Sequence, residues 1–446
     1  MSENTLRQPA DLRAFAVLWL SQAVLLFGNA LTLFANTVFM AQVMYPEPAQ
    51  RVQLGAGLAA AGVAWTLPSL VLGPLAGAWV DRNSRKATMI VSSIASLAVL
   101  SLLVAHMAQH TLTLSGLVLM MTTLSALNAF HTSGFETSYV MLVPTSMLPR
   151  ANGMVQGLWA VSGICAPLVA AWLIRLPAAV CAFGTYSTIS NLLGSMPSGA
   201  PVAVAANLVA SALAVLLLAF VRIPPPTQYS VGQTTKRLGL GEDLRSGVRH
   251  ILARPPLVWL LVLFALCNLV GGAMGTLQPL IVGHNLLADR TARALSFEAS
   301  LALLASVMSV GGLIGSLAMT LWGGVRRNRA HGVLVPLMGM AIAQAAYGYS
   351  KFVYITLAAG FVISFMSPIM NSHSQTIWQI ETPYGMQGRV FSIRRLVAQF
   401  TLPIGTTMGG YLGGRFDPGV VLMLMALAVL SFCAAQLRNP HLVGRG

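Results

Sequence analysis

GPLAGAWVDRNSRKATMI, Gly73 to Ile90, places Asp81, Arg82, Arg85 and Lys86 within six residues. The chain has 446 residues, of which only 8% are charged and 56% are hydrophobic, with a mean hydropathy of +0.74. A soluble domain carries about 25% charged residues, so this knot of four charges marks a short link held in water between two apolar runs. The design repeats along the chain. Apolar runs of about 20 residues or more, each long enough at ~1.5 Å per residue to cross a hydrocarbon core of about 30 Å, alternate with short polar links. The composition predicts an all-α polytopic membrane protein.

Charge, Pro and turn residues bound twelve predicted spans: 14–43, 54–80, 87–108, 112–140, 153–175, 201–221, 257–283, 297–321, 332–349, 352–378, 390–413 and 418–437. The first is long enough to need tilt or a turn at the membrane surface. The polar start MSENTLRQPADLR precedes a run too long for a cleaved signal, so the first helix is expected to remain as an anchor. An even count puts both termini on one side. With that side cytoplasmic, 20 of the 26 Lys and Arg residues fall in cytoplasmic links and helix ends. The asymmetry matches the positive-inside rule and sets both termini in the cytoplasm.

The net charge of +15 is therefore read as topology. No basic tail or soluble segment is present to hold a duplex, so no nucleic-acid partner is expected. Cys165, Cys181, Cys267 and Cys433 are scattered without CxxC spacing and read as packing residues. No cluster of acids or histidines suits a metal, and no cofactor is expected. GxxxxGK[ST], HExxH and GxSxG are absent, which argues against an enzyme and, with only three lysines, against ATP-driven work in this chain.

The longest cytoplasmic link, 222–256, divides the chain into residues 1–221 and 257–446, read as two pseudo-symmetric six-helix bundles. Within it Leu240, Leu244, Val248 and Ile251 or Leu252 recur at helical spacing, predicting an amphipathic helix on the membrane surface or against a bundle. The link 176–200 is placed outside. An offset of 239 residues carries Glu136, Pro144 and Arg150 onto Gln375, Pro383 and Arg389, a thin internal repeat at corresponding places in the two halves. Repeated halves around a midplane site are the build of secondary transporters.

The spacing Gly77-x-x-x-Asp81-Arg82-x-x-Arg85-Lys86 resembles the loop signature of the major facilitator superfamily, with Ser84 where the pattern has a second Gly. The resemblance implies a conformational latch of Gly77, Asp81, Arg82, Arg85 and Lys86 against the start of span 11, at Gly388 and Arg389. A plain topology anchor is the alternative. FAVLWLSQAVLLFGNALTL, LVPTSMLPRANGMVQG, LGEDLRSGVRHILARPPLVWLLV and GMQGRVFSIRRLVAQFTLPIGTTMGG are similar to the branch holding bacterial macrolide and siderophore exporters. Span 5 carries that branch's exporter pattern in degraded form, as Gly153, Ser162, Ala166, Pro167, Ala170 and Ala171. Small residues for close packing and the kink-forming Pro167 persist.

Glu136 stands in span 4 on a stripe with Ser125, Asn128, Thr132 and Tyr139, and an acid inside a span is a candidate for proton coupling; snorkelling to water is the alternative. His131 reads as packing. Gln22, Asn29 and Asn36 share a face of span 1, and Ser364, Ser367, Asn371, Gln375 and Trp378 share one of span 10. With Asn268, Gln278, Thr401 and the aromatics Trp65, Trp159, Phe264 and Phe365, these are the candidates to line a substrate cavity. Arg394 and Arg395 at its inner mouth would attract an anionic solute. The resemblance implies a secondary active exporter of amphipathic, drug- or macrolide-like small molecules in a bacterial inner membrane, working by alternating access; a monomer is expected, with H⁺ as the coupling ion through Glu136. A siderophore or lipid-like substrate, or uptake on the same fold, remains open.

Overall fold

A computed structural model describes residues 11–144, 147–182, 198–223, 240–325, 328–383 and 387–443. Among these residues every regular element is a helix. Eleven helices are long and apolar enough to cross a membrane. They are α1 (Leu12–Phe39), α2 (Arg51–Arg82), α3 (Arg85–Ala108), α4 (Leu114–Leu142), α5 (Leu148–Ala182) and α6 (Ala200–Phe220), then α8 (Pro255–Leu280), α10 (Phe297–Trp322), α11 (His331–Tyr349), α12 (Val353–Glu381) and α14 (Pro418–Gln436). Between them lie α7 (Leu240–Leu252), the short α9 (Leu287–Ala292) and α13 (Gln387–Arg415).

The span predicted at 390–413 falls on α13, which has the length but not the apolarity of the others. Three arginines occupy its first third, and five glycines and three threonines follow. The expected twelve thus become eleven apolar helices and one long helix of mixed character. The outer link predicted to start at 176 starts later, because α5 continues to Ala182.

The described chain forms two compact units, Met1–Phe39 with Ala64–Gln233 and Met40–Val63 with Thr234–Gly446. In the first unit α1 packs against α6 and α5, and α3 against α4 and α6. Phe15, Leu18, Met89, Phe135, Leu142 and Leu218 form one of its cores. Lipid offers no hydrophobic drive between helices, so close approach and interhelical hydrogen bonds do that work. Asn207 on α6 donates to Thr32 Oγ1 on α1 at 2.8 Å. A Cβ on Gly28 would lie 2.1 Å from Asn207 Oδ1, so only glycine admits this pair.

In the second unit α8 packs on α13, α12 on α10 and α11, and α14 on α11. Thr276 Oγ1 donates to Thr406 O at 3.2 Å and Thr406 Oγ1 to Gly272 O at 3.3 Å, pinning α8 to α13. The predicted amphipathic helix is α7, which packs against α13 and α8. It buries Ile251 and leaves Val248 and Leu252 exposed, so only part of the predicted apolar face is covered. Both α1 and α8 end in a π-helical turn, Met40–Met44 and Ile281–Asn285.

Candidate functional site

Helices α8 and α10 to α13 of the second unit enclose a cavity of about 700 Å³, a size that holds a drug-sized molecule. One wall is the stripe anticipated on α12: Ser364, Ser367, Asn371 and Gln375. Asn371 folds back on its helix, donating to Ser367 O at 2.9 Å. From α8 come the expected Asn268, Gln278 and Phe264. Thr401 is not on the wall, and its hydroxyl donates to Ala398 O of its own helix.

The sequence reading missed four methionines on this wall, Met274, Met308, Met340 and Met370, together with Gln344 on α11. Thioethers on flexible stems adapt to varied apolar shapes. Their spacing carried no signal, because they come from four helices and meet only in the fold. Cys267 also lines the cavity, so it is not purely a packing residue. Among the described cysteines Cys165 is exposed and Cys433 buried, both without a disulfide partner.

Among the described residues Arg394 on α13 is the charged side chain on this wall. Its guanidinium lies 5.4 Å from the Phe264 ring centre and 5.3 Å from that of Trp378, which is fully buried. Arg394 Nη1 donates to Gln375 Oε1. The side chain of Arg395 lies outside the described residues.

The first-unit candidates are placed as follows. Gln22 and Asn36 are buried on α1, and Asn29 is half-buried. Asn36 Nδ2 approaches Met121 Sδ at 3.0 Å, while Gln22 Oε1 and Asn36 Oδ1 have no partner among the described residues. Asn128 and Thr132 on α4 are half-buried, and Ser125 donates to Trp65 O. Trp159 is exposed. His131 is buried as expected of packing, although neither ring nitrogen has a partner among the described residues. Glu136 on α4 is exposed, so the protein does not enclose this carboxylate.

Around the Asp81 link, Ser84 is the N-cap of α3, and its hydroxyl accepts from Ala87 N at 3.3 Å with φ −61°. That φ suits any L-residue, so the second Gly of the pattern is not required here. Lys86 Nζ donates to Ala219 O at 2.7 Å, a cation at the C-terminal end of α6. Arg85 Nη1 contacts Met141 Sδ, and Arg82 is exposed. A Cβ on Gly77 would meet nothing within 4 Å among the described residues. Asp81 lies at the end of α2 and Gly388 and Arg389 in the first turn of α13; their side chains lie outside the described residues. Pro167 is buried in α5, and Ser162, Ala166, Ala170 and Ala171 are buried with it.

A second cavity of about 550 Å³ in the second unit is lined by both π-turns, through Gln42 and His284, and by Arg290 and Glu298. Glu298 is 7% exposed, the one buried charged side chain among the described residues. It accepts from Gln42 Nε2 at 2.8 Å and faces the Arg290 charge.

Residues 18–406 match the sequence profile of the Major Facilitator Superfamily. The chain belongs to this superfamily. It is a multi-pass membrane transporter. It is similar to macrolide efflux protein A of Streptococcus pyogenes, at 24% identity over 432 residues that cover 94% of each chain. Among solved structures it resembles a D-xylose–proton symporter, with a TM-score of 0.66 at 13% identity, covering 95% of this chain and 97% of that one. It also resembles the nucleoside transporter NupG, with a TM-score of 0.65 at 13% identity, covering 96% and 99%. A bacterial homologue of the human lysosomal transporter Spinster, inward-facing and unoccupied, gives a TM-score of 0.62 at 16% identity, covering 96% and 93%. At such identities these structures share the fold, and function has to be argued from the site.

Proposed function

We propose that the chain is a secondary active exporter of amphipathic small molecules, working by alternating access in a bacterial inner membrane as a monomer with both termini cytoplasmic. The observation that carries this reading is the 700 Å³ cavity, with its amides, hydroxyls and thioethers. Such a lining binds a bulky, partly polar solute without committing to one shape. Export is supported by the similarity to a macrolide efflux protein across nearly the full length of both chains. Coupling to H⁺ is assigned to Glu136, a carboxylate on a membrane-spanning helix with an exposed side chain. Gln22, Asn29, Asn36, Asn128 and Thr132 from the first unit, with Asn268, Asn371 and Gln375 from the second, are assigned to substrate contact.

The test is uptake of erythromycin, a cationic dye and a ferric chelator into everted membrane vesicles under an imposed pH gradient. Wild type is expected to accumulate at least one probe in a gradient-dependent, saturable way. Gln375→Ala and Asn268→Ala should raise the half-saturation concentration by about 5- to 10-fold, as one lost hydrogen bond would. Glu136→Gln should keep probe exchange and lose its dependence on the gradient. Gradient-driven movement out of the everted vesicles would reverse the assigned direction, and no flux of any probe would overturn the reading.

A further inference from the structure

We propose that the cavity of the second unit selects organic anions, with Arg394 as the residue that sets the charge of the substrate; this rests on the transporter reading above. Arg394 is a cation half-buried on the wall of a membrane protein's cavity, and its polar neighbours there are neutral. No carboxylate among the described residues pairs with it; its contacts are the rings of Phe264 and Trp378 and the oxygen of Gln375. A guanidinium has five N–H donors in a planar fork, and the Gln375 contact engages one nitrogen. A charge removed from water without a counter-charge is unfavourable in a low-dielectric site. A ligand carboxylate or sulfonate would supply both the charge and the acceptors.

The local structure keeps that fork in one place. The rings of Phe264 on α8 and Trp378 on α12 lie on its approach, and stacking on aromatic faces suits Arg in a way it does not suit Lys. Gln375, from the α12 stripe, fixes the rotation of the guanidinium plane. The rest of the ligand would meet Met274, Met308, Met340 and Met370, which accept a bulky apolar body without fixing its outline. The chemical class is therefore an amphipathic monoanion, with a hydrophobic body of drug size and one acidic head. An amine of the same body would bring its charge up to Arg394 and be repelled.

Binding of radiolabelled cholate, and of its counterpart with an aminomethyl group in place of the carboxylate, would be measured on the full chain in nanodiscs. Wild type is expected to prefer the acid. Arg394→Gln should weaken acid binding on the order of 10- to 100-fold, the worth of hydrogen bonds to a charged group, and bind the amine as well or better. Arg394→Lys should fall between, keeping the charge but losing the fork. Acid binding within twofold of wild type in a folded Arg394→Gln protein overturns the proposal, as does a wild type that binds neither compound or prefers the amine. The two readings fail separately. Acid binding that needs Arg394 without gradient-driven flux retains the anion site and removes transport of this ligand. Gradient-driven flux indifferent to Arg394 retains transport and removes the anion site.

Discussion

Asp417 starts α14 and ties three elements together. Its Oδ1 accepts from Val420 N at 2.9 Å, as an N-cap, and from Asn285 Nδ2 at 2.8 Å, while Lys351 Nζ lies 3.6 Å from Oδ2. Partial burial pushes its pKa up, but the Asn285 and Val420 hydrogen bonds and the Lys351 charge outweigh it and hold the carboxyl below its ordinary value. A carboxylate depressed in the folded state stabilises at any pH above the unfolded value of about 3.9, and that contribution is lost as pH falls through the folded pKa. Asp417→Ala should lower stability at pH 7 by about 1 kcal/mol through the lost cap. Asp417→Asn, which caps nearly as well, should lose less. Thermal melts in detergent would check this, with the gap between wild type and Asp417→Asn narrowing below about pH 4. A gap that stays constant with pH would exclude the ionised carboxylate as its source. Single residues were also where sequence reading fell short. Ser84 read as a departure from the loop pattern, and it serves as the N-cap of α3. Glu136 shares a helix face with Ser125 and Thr132, yet its side chain is exposed while Ser125 is buried. Helical spacing tells which residues share a face, and it does not tell which face the protein covers.

At the scale of elements, most helices were legible, because a 3.6-residue helix in lipid must be apolar nearly all round. Helix α13 blurred that signal for a physical reason. Its glycines and threonines, which lower its apolarity, are what let α8 approach it. A Cβ on Gly405 would lie 1.9 Å from Leu269 O, one on Gly272 2.2 Å from Leu402 O, and one on Gly409 2.7 Å from Ala273 Cα. The obstacles are backbone atoms, so no rotamer change relieves them. Gly405→Ala should therefore destabilise by about 1–3 kcal/mol, as overpacking does, whereas Gly271→Ala, with nothing within 4 Å of its Cβ, should melt like wild type. Equal melting temperatures for the two variants would show that α8 and α13 can separate without loss. The same fold explains why half of the site was readable. The α12 stripe lies on one helix and announces itself by spacing, while the methionine lining is assembled from four helices and has no periodicity to find.

At the scale of the whole molecule, the Asp81 link decided the fold reading twice, by its charge as a cytoplasmic junction and by its spacing as a superfamily signature. Its bases have local work in this structure, with Lys86 on the end of α6 and Arg85 against Met141. Those contacts would suit a topology anchor equally well. A latch differs in needing Asp81 and Gly77 at a stage of the cycle in which Gly77 is covered, since here its Cβ position is open. Two substitutions separate the roles. Asp81→Asn removes the carboxylate and leaves the bases that set topology, and Gly77→Leu adds bulk where this structure has room. If the link is a latch, both proteins should insert, melt and bind probe like wild type, yet drive gradient-dependent flux at least about tenfold more slowly, the effect of ~1.4 kcal/mol on one step of the cycle. Flux at the wild-type rate in both would leave the motif as an anchor. Loss of insertion in Asp81→Asn, read from cysteine accessibility on the two sides of the membrane, would make the carboxylate part of the topology signal instead.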